Sequence, residues 1–532
     1  MFNITNWIKK RKKARIRSYM RGYNRLIKED RTDFIGNLKN KLANKPINGE
    51  DLNEIFRCNK KTCFHQFLVY RLINLKFNKA LLAAVDNPKK EIYYPLPNLW
   101  RSELMNDGFK VPKIYNDLLW LKFNLKWYLI GVLTGIIQIF RILFEGKNKK
   151  ENDSAFFINL YPGNLLQNSS LNSHNLLEWF ALQPEAKKIN KIYHSCKAKC
   201  NTKLINKIIK YRRTPLPNIS FKKVIKFLFW FFFKAITSLF TFENRLLLRE
   251  LVLENITKLS NPNELCGYYL FHNSGHILRP LWSYVAEKRG SKIIFYFYST
   301  NITSFKVKQK NHIQDFQWQV TSWSKYWVWN QTQVNFLKRN ILKSFDLIIK
   351  GIIPFTSSTK NFTYKETTQN DSLLIFDVPP TRQYFYAGTA PTVDFYTLKN
   401  MVIFLDWIDH LAQFYGLNVF LKTKRKSPLT SKIYINKIVN LKKNKGWVEI
   451  DSEIDANYVC SKLQPIASIS VPFTSAAIIS KKNKIPSAYL DPTKNLDKKF
   501  LINNEVSLLL SKEELFQWFS KYVLKNHEKT KN

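Results

Sequence analysis

A chain of 532 residues, 45% of them hydrophobic, can bury at least two sizeable cores and is not a disordered polymer. With 85 Lys and Arg against 39 Asp and Glu, its formal charge of +46 points to polyanionic partners: nucleic acid, an anionic membrane surface or phosphorylated substrates. The six cysteines, Cys58, Cys63, Cys196, Cys200, Cys266 and Cys460, make no disulfide framework in so long a chain and fit a reducing cytoplasm; with His65 and His194 they follow no common zinc spacing.

In chain order, the apolar stretch at residues 1–8 precedes the basic run at 9–13, the reverse of a signal peptide, so export is not expected. Residues 1–150 read as a mostly helical basic region closing on a polar linker from Gly146 to Asp153. Two apolar stretches stand out, Trp127 to Phe140 and Phe227 to Phe233, the second beside Lys222, Lys223, Lys226 and Lys234. Both fall short of the roughly 20 apolar residues of a spanning helix. They fit either buried core helices or helices lying in a membrane interface, with lysines on anionic lipid.

From Ala155 the grammar changes to short apolar runs separated by helical periodicity. Strands are expected at Ala155 to Leu160, Gly267 to Phe271, Lys292 to Tyr298 and Tyr326 to Trp329, with helices from about His276 to Lys288 and from Gln331. The pattern recurs after the polar stretch Ser357 to Asp371. Strands are expected at Leu373 to Asp377, Asn418 to Lys422, Gly446 to Ile450, Ile466 to Val471 and Ser487 to Asp491. Helices follow from Leu398 to Tyr415, near 430–442 and from about Thr474. The expected fold class is therefore α/β: two Rossmann-like doubly wound lobes, at 151–356 and 357–532, after the helical region. Ligands of such sheets bind outside the carboxyl ends of the strands, which puts function in the loops after Phe271, Asp377, Lys422 and Val471. The absence of GxGxxG and Walker sequences excludes the dinucleotide oxidoreductases and P-loop enzymes.

Three clusters could carry chemistry. Pro472-Phe473-Thr474-Ser475 turns a strand into a helix, where free N–H groups and two hydroxyls would hold a phosphate; Thr474 serving only as a helix cap is the competing reading. Lys422, Lys424 and Arg425 follow a strand and would neutralise a phosphate leaving group, or form a solvated basic loop. His272 and His276 are candidate bases and Arg279 a grip for an acidic sugar; either histidine could equally cap a helix.

Ser470-Val-Pro-Phe-Thr-Ser475 followed by Ala-Ala, with Lys484-Ile-Pro-Ser-Ala-Tyr-Leu490 beyond it, resembles the polysaccharide biosynthesis proteins named for their PFTS motif, over about residues 155–500. The layout is also similar to bacterial transferases for acidic sugars, in which a Lys-rich or His-Pro loop and a later Ser/Thr pair hold a CMP-sugar. Here the His-Pro dipeptide is absent, which leaves the donor nucleotide open. The resemblance implies a GT-B-like architecture, acceptor on the first lobe and nucleotide sugar on the second, without metal or resident cofactor. No Asp-x-Asp is present; Asp451-Ser-Glu453 is its nearest imitation. The implied function is a glycosyltransferase of bacterial surface polysaccharide, O-antigen or capsule, moving a sugar, an acidic one included, onto a lipid-linked or glycan acceptor. It would sit at the cytoplasmic face of the plasma membrane as a peripheral protein. A basic nucleic-acid-binding protein is the rival, with no recognisable RNA or DNA motif behind it, and a non-catalytic assembly factor is a third reading.

Overall fold

The computed structural model describes residues 30–45, 51–144, 151–160, 176–196, 202–204, 207–272, 277–299, 316–353, 371–380, 398–424, 430–452, 454–494, 496–498 and 506–524. Among the described residues six helices come first: α1 (Asp30–Asn44), α2 (Leu52–Arg57), α3 (Asn59–Leu72), α4 (Leu75–Asp86), α5 (Asn98–Asn106) and α6 (Lys113–Phe144). The first lobe holds β1 (Ser154–Phe157), α7 (Leu176–Ala181), β2 (Lys191–His194), β3 (Thr202–Leu204), β4 (Lys207–Tyr211), α8 (Val224–Ser238) and α9 (Phe242–Leu259). It continues through β5 (Tyr268–His272), α10 (Leu281–Lys288), β6 (Lys292–Tyr296), α11 (Phe316–Gln319), β7 (Lys325–Val328), α12 (Gln331–Asn340) and β8 (Asp346–Ile349). The second lobe runs β9 (Ser372–Asp377), α13 (Leu398–Tyr415), β10 (Asn418–Thr423), α14 (Lys432–Lys445), β11 (Val448–Ile450) and α15 (Ala456–Leu463). It closes with β12 (Ala467–Ser470), α16 (Ser475–Lys482), β13 (Ser487–Leu490), β14 (Ser507–Leu509) and α17 (Lys512–Trp518).

The first sheet has the order β3-β4-β2-β1-β5-β6-β7-β8 and the second β11-β10-β9-β12-β13-β14. Every pairing is parallel except β3 with β4. Central strands β1, β5, β9, β12 and β13 are buried at every position, as parallel strands covered by helices on both faces must be. α13 buries Met401, Phe404, Leu405, Ile408 and Leu411 on one face and stops where Gly416 turns to φ +66, with the Leu417 N–H closing on the Ala412 carbonyl at 2.8 Å.

Two expectations change. The helix placed from His276 begins at Leu281, because Pro280 takes the N-cap position with extended backbone. The stretch at Trp127 to Phe140 is part of a helix of 32 residues, long and apolar enough to cross a membrane by length and composition; in its most apolar window only 22% is buried. The polar residues of its first two turns had hidden its extent.

The N-terminal helices share one core with the first lobe, since Leu42, Leu68, Leu72, Leu81 and Trp100 cluster with Leu246, Leu247, Leu281, Tyr284 and Val320. Polar contacts cross the same boundary: Gln66 donates to the Val320 carbonyl at 2.7 Å and accepts from the Arg279 N–H at 2.9 Å.

Candidate functional site

In the second sheet the connections run from β9 outward through β10 to β11, then return to the other side of β9 and run outward through β12 to β14. The strand order turns back between β9 and β12, and a parallel sheet opens its ligand crevice beyond the strand ends at such a point. The two strands end there at Asp377 and Ser470.

The loop leaving β12 is the PFTS element. The Val471 N–H bonds the Phe376 carbonyl at 3.1 Å, so the chain stays stitched to β9 as it leaves the sheet. Proline at 472, φ +61 at Phe473 and the Thr474 N–H returning to the Val471 carbonyl at 3.4 Å together have the form of a type II turn, in which glycine normally supplies the positive φ. A side chain in that conformation costs roughly 1–2 kcal/mol. Burial holds it: the Phe473 ring packs on Tyr489 with centroids 5.5 Å apart, and the Tyr489 hydroxyl donates to the Thr474 carbonyl at 3.1 Å.

Thr474 occupies the N-cap position of α16, with φ −78 and ψ 136, yet its side chain makes no capping hydrogen bond. Its Oγ1 and the Ser470 Oγ are buried without a hydrogen-bond partner among the described residues, as is the Thr423 Oγ1 at the end of β10. Thr423 faces the other side of the sheet from Ser470, since Ser470 pairs in register with Phe376 and Thr423 with Asp377. The buried hydroxyls of Ser470 and Thr474 stand where β12 leads into a helix, whose first N–H groups favour an acceptor-rich group such as a phosphate. Thr474 as a plain cap is not the arrangement observed. Pro472 and Ser475 lie on either side of it in the chain and are both buried.

Side-chain alternation divides the neighbouring ionisable groups between the two faces of the sheet. Asp377 and Thr423, paired in register, extend the face of Leu373 and Ile375, while Lys422 extends that of Leu374, Phe376 and Phe420. Burial pushes the Asp377 carboxyl up to about 7, opposed by the hydrogen bond that the Tyr434 hydroxyl donates to its Oδ2 and by the Lys424 backbone. Lys422, expected at a phosphate, is itself buried and donates to the Ser452 carbonyl at 3.3 Å. Burial lowers its ammonium to about 8, opposed by the charges of Asp455, Asp377 and Asp451. Lys424 follows the end of β10, half-buried, and Arg425 lies outside the described residues. Asp451 and Ser452 follow β11 as expected, and Glu453 lies outside the described residues.

The first sheet turns back between β1 and β5. His272 closes β5 there and its ring Nε2 lies 2.9 Å from the carbonyl of Asn159, a residue at φ +63. A carbonyl only accepts, so Nε2 carries the proton and Nδ1 the lone pair. Burial lowers the pKa of this histidine, which keeps the ring neutral near pH 7. His276 lies outside the described residues. Arg279, expected to grip an acidic sugar, is 2% exposed. Its guanidinium reaches Glu287 at 2.5 Å, the Ser322 carbonyl at 2.8 Å and Ser283 at 3.2 Å, over the Tyr284 ring. That places it in the packing between the helical region and the first lobe. From sequence, Ser470 opens the motif without a role for its hydroxyl, and Thr423, Tyr434 and Asp455 are not singled out; an acid closing an apolar strand, as Asp377 does, was the available signal.

Two doubly wound sheets, each with its strand order turning back at its centre, make this a two-lobed α/β protein. The model of the polysaccharide biosynthesis PFTS motif proteins matches residues 225–519, more than half of the chain, and the chain belongs to that family. Its PFTS residues are Pro472, Phe473, Thr474 and Ser475. Among solved structures, it is similar to a UDP-glucosyltransferase from Polygonum tinctorium at 8% identity and TM-score 0.36, over 71% of this chain and 91% of that one. It is also similar to the UDP-GlcNAc 2-epimerase of Methanocaldococcus jannaschii at 12% identity and TM-score 0.36, over 70% and 93%. No curated protein matches the chain in sequence.

Proposed function

We propose that the protein is a glycosyltransferase of bacterial surface polysaccharide, taking a nucleotide sugar on its second lobe and a lipid-linked or glycan acceptor on its first, at the cytoplasmic face of the membrane. The observation that carries this reading is the pair of buried hydroxyls at Ser470, the end of β12, and Thr474, the N-cap of α16, without a hydrogen-bond partner among the described residues, where the strand order turns back. A donor phosphate would accept from Thr474, Ser470 and the α16 N–H groups, with Ser475 and Lys424 as further donors; Arg425 keeps the role of neutralising the leaving phosphate that its sequence position gives it. The buried Lys422 would contribute a fixed positive field more than a direct contact.

In the transfer, the acceptor hydroxyl oxygen bonds to the anomeric carbon as the bond from that carbon to the phosphate oxygen breaks. The hydroxyl proton goes to a first-lobe base, His272 or His276, and the nucleoside phosphate leaves with the electron pair. A neutral His272 with its lone pair on Nδ1 suits that task. CMP-, UDP- and GDP-sugars incubated with the protein and a lipid-linked acceptor test the reading. Acceptor-dependent release of one nucleotide supports it, and no release from any of the three contradicts it.

A further inference from the structure

α6 and α8 lie side by side. At Gly135 a Cβ would sit 2.0 Å from the Phe231 ring, so the close approach depends on glycine, and Gly131 meets Leu248 of α9 in the same way. The face that the two helices turn outward is apolar. On α6 it recurs at Leu118, Leu121, Leu125, Leu129, Leu133 and Phe140, with Leu129 57% exposed. On α8 it comprises Ile225, Phe229, Phe232, Phe233 and Ile236, with Phe229 76% exposed. Soluble monomers rarely expose so continuous an apolar surface.

Three observations identify what covers it. Lys122, Lys126, Lys222 and Lys226 are exposed on or beside the same helices. The only acid on either helix is Asp117, and Arg101 holds it at 2.5 Å. A second copy docking by two-fold symmetry would set these lysines against one another with no acid to meet them, whereas an anionic bilayer offers acyl chains to the aromatics and phosphates to the lysines. The opposite face of α6 is sealed along its length. Asn116 exchanges hydrogen bonds with Leu96 at 3.0 and 3.3 Å near one end, and Asn218 donates to the Arg141 carbonyl at 2.7 Å near the other, where Ile142 enters the first lobe's core. A helix held at both ends by one body cannot carry those ends to opposite sides of a membrane.

We infer that α6 and α8 form an in-plane docking surface for an anionic lipid bilayer, with α6 lying along the membrane although it is long enough to cross it. The docking stands on this surface alone; it rests on the proposed function only in setting the transferase beside a lipid-linked acceptor.

Flotation of the purified full chain with vesicles of phosphatidylglycerol and phosphatidylcholine in equal parts, and of phosphatidylcholine alone, tests it. The chain is expected to float with the mixed vesicles and less with the neutral ones. Combined Phe229→Ser, Phe232→Ser and Phe233→Ser is expected to weaken binding roughly tenfold or more, while Lys122→Glu with Lys126→Glu removes only the preference for anionic lipid. Spin labels at Leu121, Leu129 and Leu143 are expected at one shallow depth. Labels deepest at mid-helix would overturn the in-plane geometry. A chain that ignores vesicles but forms dimers, dissociated by the Phe variants, would overturn the lipid assignment, and loss of donor binding would leave both readouts untouched.

Discussion

The Tyr489 hydroxyl donates to the Thr474 carbonyl at 3.1 Å while the Tyr489 ring supports that of Phe473, so one side chain on β13 fixes both the strained turn and the start of α16. Tyr489→Phe keeps the ring and removes the hydrogen bond. Stability is expected to fall by about 1 kcal/mol and nucleotide affinity to weaken as Thr474 loses its anchor, read by denaturant melts and calorimetric titration.

At Phe473 the usual ranking of glycine and alanine should reverse. Both variants lose the buried ring, at roughly 3–5 kcal/mol. Phe473→Gly also relieves the positive φ, so it is expected to be more stable than Phe473→Ala by about 1 kcal/mol. Equal midpoints in urea would show that the turn is not strained.

Asp377 should make the protein less stable as pH rises. Its folded pKa of about 7 lies above the ordinary 3.8, so between these values the native state holds a proton that the unfolded chain releases. The destabilisation grows from near pH 4 and is complete above pH 7, on the order of a few kcal/mol. Asp377→Asn is expected to flatten this window, seen as a melting temperature that no longer falls between pH 4 and 7. Tyr434→Phe should deepen the fall, because its hydrogen bond holds the carboxyl lower.

Arg279→Met separates packing from substrate binding. Loss of the ion pair with half-exposed Glu287 and of the cation over Tyr284 is expected to cost roughly 2–3 kcal/mol. Donor affinity should stay unchanged, as measured by titration at a temperature where the variant is folded.

Much of the second lobe was legible because β9, β10, β12 and β13 are apolar runs bounded by turn residues, and α13 carries its periodicity to Gly416. The strands β2 and β4 were not legible because Lys191, Lys207 and Lys210 leave only the apolar pairs Ile192-Tyr193 and Ile208-Ile209 between polar neighbours. The N-terminal helices read as a separate region because their core is made with residues such as Leu246 and Val320, far along the chain, which no local pattern records. The PFTS turn was legible as a motif, but its uncapped hydroxyl was not. Thr474 before a helix looks the same in sequence whether or not its oxygen accepts an N–H. Arg279 looked like a substrate ligand because its partners, Glu287 eight residues on and the Ser322 carbonyl, depend on the folded chain.

The most direct test compares wild type with Thr474→Val, following melting temperature without ligand and with CMP, UDP and GDP. A buried hydroxyl without a partner stabilises nothing, so the variant should melt at or above the wild-type temperature without ligand. It should lose most of the rise that one nucleotide produces in the wild type, a loss of roughly tenfold or more in affinity. A variant that melts lower but keeps the full nucleotide-induced rise would show that Thr474 serves the fold alone, and would contradict a phosphate site at the PFTS turn.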